Sequence, residues 1–280
     1  MTTLPTLYLS HGSPMTALEP GAAGAFLQRL GPAIDATFGR PKAVLAVSAH
    51  TLTRAPVLLA AARHEAVYDF HGFPDALYRL RYDAPGAPEL AERVQGLLAA
   101  AGIASHRIDE GGLDHGIWTP LRYAWPAADV PVLPLGFVPS WTPAQLLAFG
   151  QALAPLADEG VLVVGTGSLT HNLRLLSGPA GRPPADTPEI AESAAFRAWV
   201  ADRAAAADWP ALLDYRRQAP HAALMHPTDE HWLPWYPAAG AAGPGAAGVR
   251  LHDSVTYGCL AMDAYGFGES ALALAEALAA

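Results

Sequence analysis

Short apolar runs alternate along this chain with longer stretches rich in Ala and Leu. Each run ends in a polar or glycine-bearing turn, and the runs cover residues 6–10, 43–49, 56–61, 131–137 and 161–167. Their nearly continuous Val and Leu content predicts strands that are covered on both faces. The longer stretches predict helices at residues 87–102, 142–157 and 187–207, with Thr142 and Thr187 as N-caps and Gly102 as a C-terminal stop.

Strands that alternate with helices predict an α/β fold, in which a central, mostly parallel mixed sheet is flanked by helices. Residues 249–267 differ, because two strand-like runs meet there without a helix between them, so we expect antiparallel C-terminal strands. Residues 177–188 and 237–248 are predicted loops from their Gly, Pro and Ala content. Both loops are short and the sheet pattern continues past them, so we expect residues 1–280 to form a single domain.

Composition and charge exclude several classes of protein. The 280 residues are 51% hydrophobic, which is enough for a sizeable core. The net charge is -9 and no cluster of Lys and Arg occurs, so we expect no nucleic-acid partner. The chain starts without a signal-like segment and its apolar stretches are interrupted, which predicts a soluble cytoplasmic protein without a membrane partner. The single Cys259 is expected to be buried.

Three histidines follow predicted strands. His11 comes directly after residues 6–10, His50 after residues 43–49, and His171 shortly after residues 161–167. Ligands of open α/β sheets bind beyond the carboxyl ends of the strands. We therefore expect these histidines at one edge of the sheet.

Two polar clusters are candidates to join that edge. Residues 112–121 carry Asp114 and His115, and residues 226–236 carry Glu230 and His231 among other polar side chains. Imidazole is a good ligand for zinc and iron, and open metal sites usually take three protein ligands. The pattern therefore predicts a mononuclear metal centre. Four other histidines are expected to be structural: His64, His106, His221 and His252. His71 is expected either to line a cleft or to pack within an aromatic-rich loop.

Other chemistry is less well supported by the sequence. Residues 165–171 begin like a dinucleotide loop, but Thr170 stands where the third glycine belongs. No G-x-S-x-G sequence occurs, which disfavours a hydrolase with a nucleophile elbow. Three tryptophans near the polar clusters are expected either in the core or in the walls of an aromatic-substrate pocket: Trp118, Trp232 and Trp235.

Seven short motifs occur in a fixed order along nearly the whole chain, from residue 7 to about residue 267. They are "LSHGSPM", "VSAH", "YDFHGFP", "GLDHGIWTPL", "GTGSLTHNL", "HPTDEHWLPW" and "YGCLAMDAYGF". Each motif is short, but together and in this order they closely resemble the class III extradiol ring-opening dioxygenases, in the branch that includes 4,5-DOPA dioxygenase.

The resemblance implies a single catalytic domain that holds non-haem Fe(II) and uses O2 to cleave a catechol ring beside its two hydroxyls. It also implies that zinc can be found in such proteins. The implied metal ligands are His11, His50 and His231. His171 corresponds to the acid/base histidine and His115 to a histidine on the substrate side.

The third metal ligand departs from the wider class, which uses two histidines and one carboxylate. Glu230 directly precedes His231, and neighbours on an extended segment point in opposite directions. We favour His231 as the ligand, with Glu230 as the first alternative. A site with three histidines leaves the choice between Fe(II) and Zn(II) open. Asp114, next to His115, is a candidate partner that orients a ring nitrogen, with a role as a loop or capping acid as the alternative.

Three other functions remain open at this point. A zinc-dependent hydrolase or lyase would use the same histidines without O2. A metal-binding, chelatase-like protein is indicated by the strand and "HGS" of residues 7–13 alone. A non-catalytic interaction protein would lack the acid/base histidine, whereas His171 is present. The expected partners of the favoured enzyme are a small catechol and O2.

Overall fold

A computed structural model describes residues 3–177 and 181–280. Its strands are β1 (Thr6–Ser10), β2 (Ala43–Ser48), β3 (Val57–Leu59), β4 (Arg63–His64), β5 (Ala84–Pro85), β6 (His106–Ile108), β7 (Val132–Gly136), β8 (Val161–Gly167), β9 (Gly248–His252), β10 (Val255–Thr256), β11 (Leu260–Ala261) and β12 (Ala264–Phe267). Its helices are α1 (Gly21–Phe38), α2 (Pro88–Ala100), α3 (His115–Ala124), α4 (Pro143–Gln151), α5 (Pro155–Asp158), α6 (Ala191–Ala205), α7 (Trp209–Leu213), α8 (Tyr215–Gln218), α9 (Ala222–Met225), α10 (Trp235–Ala241) and α11 (Ser270–Ala279).

Eight of the strands form one mixed sheet in the order β6-β3-β7-β2-β8-β1-β12-β9. The four central strands, β7, β2, β8 and β1, run parallel to one another. Strand β12 pairs antiparallel with β1 and with β9, which confirms the predicted antiparallel C-terminal strands. The predicted α/β class with a mostly parallel mixed sheet is therefore confirmed.

Both faces of the sheet are covered, as the continuous apolar runs predicted. In β8, Val161 and Val163 join one core, while Leu162 and Val164 join the other. This alternation follows from the two-residue period of a strand. The first core also contains side chains of α2, α4, α6 and α10, and the second contains side chains of α1, α3 and α11. The central strands are thus fixed from both sides, which makes their ends rigid supports.

Two predicted helices differ from the structure. The stretch 142–157 forms two helices, α4 and α5, because Pro155 has no N–H to continue the hydrogen-bond ladder. Thr142 does cap α4, and its hydroxyl accepts from the backbone N–H of Gln145. Thr187 does not cap α6, since its hydroxyl donates to the carbonyl of Pro184 and the helix begins only at Ala191. Gly102, with φ of +75°, follows α2 as predicted.

The predicted loop 237–248 is wrong in its first part, because residues up to Ala241 belong to the buried helix α10. A Cβ on Gly240 would lie 2.2 Å from the carbonyl oxygen of Leu147 in α4. The small residues that resemble a loop composition therefore serve close packing of two helices. Of the other predicted loop, 177–188, residues 178–180 lie outside the described residues.

The C-terminal ends of β1, β2 and β8 lie side by side at one edge of the sheet, because the three strands are parallel neighbours. Cys259 is buried, as predicted. Within residues 3–177 and 181–280, no helix is both long enough and apolar enough to cross a bilayer.

Candidate metal centre

Three histidine rings meet at the edge formed by β1, β2 and β8. The Nε2 atoms of His11 and His50 are 3.1 Å apart, and those of His50 and His231 are 3.3 Å apart. His11 and His231 are buried, and the side chain of His50 is 23% exposed. The cluster is therefore open to solvent mainly on the side of His50.

Backbone contacts to the ends of the strands hold these rings in place. His11 follows β1, and its N–H donates to the carbonyl of Gly167 at the end of β8. The carbonyl of His231 accepts from the N–H of Ser168 and from the hydroxyl of Tyr8. A Cβ on Gly167 would lie 2.0 Å from that carbonyl oxygen, so only glycine allows the segment of His231 to approach β8 so closely.

Each of the three rings has an oxygen atom beside its other nitrogen, Nδ1. Nδ1 of His11 is 3.0 Å from the hydroxyl of Thr166, which itself donates to the carbonyl of Gly116. That hydroxyl must therefore accept from His11, so the proton of the ring is on Nδ1 and Nε2 has a free lone pair. Carboxylate oxygens of Asp69 and Glu230 lie 3.4 Å and 3.2 Å from Nδ1 of His50 and His231, respectively.

The rings are held in the neutral form that a metal ligand requires. Burial lowers the pKa of His50 to about 4 and that of His231 to about 3. The pKa of His11 is also well below its ordinary value, first because the ring is buried and then because other histidines surround it. Three lone pairs can therefore point into one space near neutral pH.

The donor set fits a single divalent transition-metal ion. Two nitrogens that bind one ion at about 2.1 Å, with angles between 90° and tetrahedral, lie roughly 3.0–3.4 Å apart. The two distances observed between Nε2 atoms fall in this range. In two further groups of three residues, the possible ligand atoms lie within 4.8 Å of one another. One group is His50, Asp69 and His115, and the other is His171, Glu230 and His231, so each shares one histidine with this cluster.

Glu230 lies on the outer side of His231. Its Oε1 atom is within 3.2 Å of Nδ1 of His231 and accepts from the hydroxyl of Thr228. The hydrogen bond with His231 is the main reason that the pKa of Glu230 is lowered to about 2. Of the two neighbours, His231 is the one whose ring nitrogen points toward the other two rings.

His115 is the first residue of α3, and its ring lies beside the cluster, with its centroid 4.2 Å from that of His50. Its Nδ1 lies 2.9 Å from Oδ1 of Asp69, which also accepts from the backbone N–H of His115. The predicted partner, Asp114, is wrong. The hydroxyls of Ser48 and Thr51 donate to the two carboxylate oxygens of Asp114 at 2.7 Å each, and neither ring nitrogen of His115 is bonded to it.

His171 lies against the ring of His231, whereas His115 lies beside His50. Its backbone N–H donates to the carbonyl of Met225, and its side chain is 17% exposed. Nδ1 of His171 is 4.0 Å from Oε1 of Glu230. Burial lowers the pKa of His171 to about 4. All five predicted site histidines are thus brought together at one edge of the sheet.

Aromatic side chains form one wall beside this group. The ring of Phe70 meets that of His115 edge to face, with centroids 5.5 Å apart, and also contacts Phe73 and Tyr78. The three predicted tryptophans are not in this wall, because all are fully buried in the two cores: Trp118, Trp232 and Trp235. His71 is exposed, and the histidines expected to be structural lie outside the cluster: His64, His106, His221 and His252.

Sequence reasoning missed two residues of the site, Asp69 and Thr166. Asp69 is part of the motif "YDFHGFP", and its place in that motif was the available signal. Thr166 lies inside β8 and has no signal of its own in the sequence, since threonine is common in strands.

Comparisons with known proteins agree with the geometry. The family model described as "Catalytic LigB subunit of aromatic ring-opening dioxygenase" matches residues 5–268. A Beta vulgaris protein named 4,5-DOPA dioxygenase extradiol is 38% identical over 264 residues, which are 94% of this chain and 96% of that protein. An Escherichia coli protein of the same name is 40% identical over 173 residues, 62% of each chain.

A solved structure shows the same fold. The crystal structure of an uncharacterized protein from Escherichia coli K12 superposes with a TM-score of 0.76 and 29% sequence identity, over 95% of this chain and all of that one. The resemblance predicted from the seven motifs is confirmed by these matches. The chain belongs to the family of the catalytic LigB subunit of aromatic ring-opening dioxygenases.

Proposed function

We propose that this protein is an extradiol dioxygenase that opens the ring of a catechol with O2, using Fe(II) held by His11, His50 and His231. The observation that carries the proposal is the convergence of three Nε2 lone pairs whose Nδ1 atoms all face oxygen atoms. Family membership supplies the class of reaction, since the matched family is described as aromatic ring-opening dioxygenase and several relatives are named 4,5-DOPA dioxygenase extradiol.

The charge of the surroundings suits a divalent cation. The three rings are neutral, and the carboxylates of Asp69 and Glu230 lie just outside them. Burial alone would raise the pKa of Asp69, but its hydrogen bonds with His115 lower it, and the pKa of Glu230 is about 2. Both groups are therefore ionised near neutral pH, and two negative charges balance the two positive charges of the ion.

When bound, ferrous iron supplies redox activity, which lets O2 react with the ring and which zinc lacks. The side chains must position the catechol and move its protons. The protein adds both oxygen atoms of O2 to the ring-opened product, so no external reductant is needed.

His115 is the proposed base for a catechol hydroxyl. Because its Nδ1 donates to Asp69, its Nε2 has a lone pair that can accept a proton. The edge-to-face contact with Phe70 places an apolar wall beside this ring, which suits one face of an aromatic substrate.

His171 is proposed as the second acid/base group. It is close to the cluster without sharing the close Nε2 contacts of the three proposed ligands, so it is free to exchange protons. With one such histidine beside His50 and another beside His231, one can remove a hydroxyl proton while the other returns a proton during ring opening.

The test is oxygen uptake by purified protein loaded anaerobically with Fe(II) and, in parallel, with Zn(II). The substrates are a small panel of catechols that includes DOPA and protocatechuate. We expect uptake with Fe(II) alone, one O2 per catechol consumed, and a yellow ring-opened product. Absence of uptake with every catechol would contradict the proposal and favour the zinc-dependent hydrolase or lyase.

A further inference from the structure

Asp69 contacts two histidines of the site through its two carboxylate oxygens. Oδ1 accepts from the backbone N–H of His115 at 3.0 Å and lies 2.9 Å from its Nδ1. Oδ2 lies 3.4 Å from Nδ1 of His50. The Asp69 side chain is 23% exposed. One carboxylate therefore lies beside the outer nitrogens of a proposed metal ligand and of a proposed base.

We propose that Asp69 is a positioning residue that fixes the tautomer of both rings at once, with the proton on Nδ1 in each. This inference rests on the proposed function. A carboxylate only accepts hydrogen bonds, so the proton of His115 stays on the Nδ1 that is bonded to Oδ1, and the negative charge of Oδ2, 3.4 Å from Nδ1 of His50, favours the same tautomer there. Both Nε2 atoms then have lone pairs on the same side, one for the metal ion and one for the substrate proton. The centroids of the two rings are only 4.2 Å apart, so the two lone pairs serve the same small space.

An amide in place of this carboxylate cannot do the same. Asn has one acceptor oxygen and one amide nitrogen that only donates. Two donors of His115 meet Oδ1, so the amide oxygen is expected to take that place and the NH2 group to face His50. His50 must then accept at Nδ1, which moves its proton to Nε2 and blocks the nitrogen that faces the metal.

The segment that carries Asp69 is also held by contacts that do not involve its carboxylate. The segment before Asp69 is held by the N–H of Val67, which donates to the carbonyl of Leu113, and by the indole of Trp118, which donates to the carbonyl of Val67. The hydroxyl of Tyr68 donates to the carbonyl of Leu80. These contacts remain when Asp69 is changed, so an effect of its substitution is expected in the site and not in stability.

The experiment compares Asp69→Asn with Asp114→Asn. Asp114 is a matched control, since it is a buried carboxylate next to His115 in the chain but accepts its side-chain hydrogen bonds from the hydroxyls of Ser48 and Thr51 and from neither histidine ring. The first readout is affinity for Zn(II) and Co(II), measured by competition with a chelator, and the second is the visible spectrum of the Co(II) form. Neither readout needs turnover. The third is kcat and KM of the Fe(II) protein, and a melting temperature checks folding.

We expect Asp69→Asn to lose about 10- to 100-fold in metal affinity and to change the Co(II) spectrum, because loss of a group that orients a ligand typically has this effect. At saturating Fe(II), kcat should fall at least tenfold with a smaller change in KM. Asp114→Asn should stay within about threefold of the wild-type affinity. Asp69→Glu keeps both acceptor oxygens and should recover most of the lost affinity.

Wild-type affinity in Asp69→Asn would overturn the inference, and so would an equal loss in Asp114→Asn, which would indicate a general effect of charge. If Asp69→Asn does not fold, Asp69→Glu decides: a 100-fold loss despite a retained carboxylate would also overturn it. Failure of the proposed function is distinct, because it would leave the wild-type protein without turnover while the metal affinities still separate the variants.

Discussion

The rings of His171 and His231 lie flat against each other, with centroids 3.4 Å apart and planes inclined by only 12°. This contact fixes His171 beside the proposed metal ligand without giving it a place among the three converging Nε2 atoms. A residue so placed can serve proton transfer while the metal is held by other side chains.

His171→Gln should therefore retain the metal and lose turnover. We expect metal affinity within about tenfold of the wild type, because only the stacked neighbour of a ligand is changed. We expect kcat to fall by about 100- to 10,000-fold, the usual contribution of a general acid or base. Metal content by elemental analysis and oxygen uptake on the same sample measure both effects. Normal turnover of catechols by this variant would show that the acid/base role is wrongly assigned.

The neighbours Glu230 and His231 allow a direct test of the third ligand. His231→Ala should lose at least 100-fold in metal affinity, since it removes one of three ligand nitrogens. Glu230→Gln keeps an acceptor oxygen beside Nδ1 of His231 and should lose only about tenfold. Chelator competition with Zn(II) gives both values. The opposite order would make Glu230 the ligand and return the site to the two-histidine, one-carboxylate pattern of the wider class.

The positions of three of the five histidines, His11, His50 and His171, were accessible from the sequence because of a simple geometric rule. His11 and His50 follow parallel strands that are joined through β8, so the ends of all three strands bring distant parts of the chain to one edge. Apolar runs that end in a polar residue are visible in a single sequence. The roles of His115 and His231 came from the resemblance, because neither residue follows one of the predicted strands.

The partners of the histidines were not accessible in the same way. Asp69 is 46 positions before His115 and belongs to a loop, so no helical or strand period connects the two. The choice of Asp114 instead relied on adjacency, and adjacency failed because two hydroxyls compete for that carboxylate. Hydrogen-bond competition of this kind is decided by tertiary geometry and leaves no mark on the order of residues.

Thr166 is expected to tune the metal site through His11. Thr166→Val keeps the shape of a buried strand residue but removes the acceptor beside Nδ1 of His11 and the donor to Gly116. Without that acceptor the proton is no longer held on Nδ1, and the tautomer with the proton on Nε2, which cannot bind the metal, becomes more populated. We therefore expect about a tenfold loss of metal affinity. Unsatisfied buried groups should also lower the free energy of unfolding by about 1–3 kcal/mol.

Thr166→Ser is the matched control, because it restores the hydroxyl and removes only a methyl group. It should recover most of the metal affinity that Thr166→Val loses. Chelator competition and urea denaturation of the three proteins provide the comparison. Equal affinities for the valine variant and the wild type would mean that the hydroxyl does not set the tautomer of His11.

A buried histidine outside the cluster gives a prediction about acid stability. His226 is fully buried among Phe196 and Trp232, and its Nε2 is 2.8 Å from the carbonyl oxygen of Leu169. Burial lowers its pKa to about 3, whereas an unfolded histidine has a pKa near 6.5. Below pH 6.5 the unfolded chain binds a proton that the folded protein does not, so the stability present above pH 6.5 is lost as pH falls toward 3.

His226→Gln removes this titration while keeping a donor for the carbonyl of Leu169. Between about pH 5.5 and 4, the free energy of unfolding of the wild type should fall more steeply than that of the variant, by about 1.4 kcal/mol per pH unit, which corresponds to one proton. Above pH 7.5 the two curves should run parallel, because neither state of the wild type then binds that proton. Urea denaturation of the chelator-treated proteins at several pH values measures the slopes, and equal slopes below pH 5.5 would show that His226 accepts a proton in the folded protein.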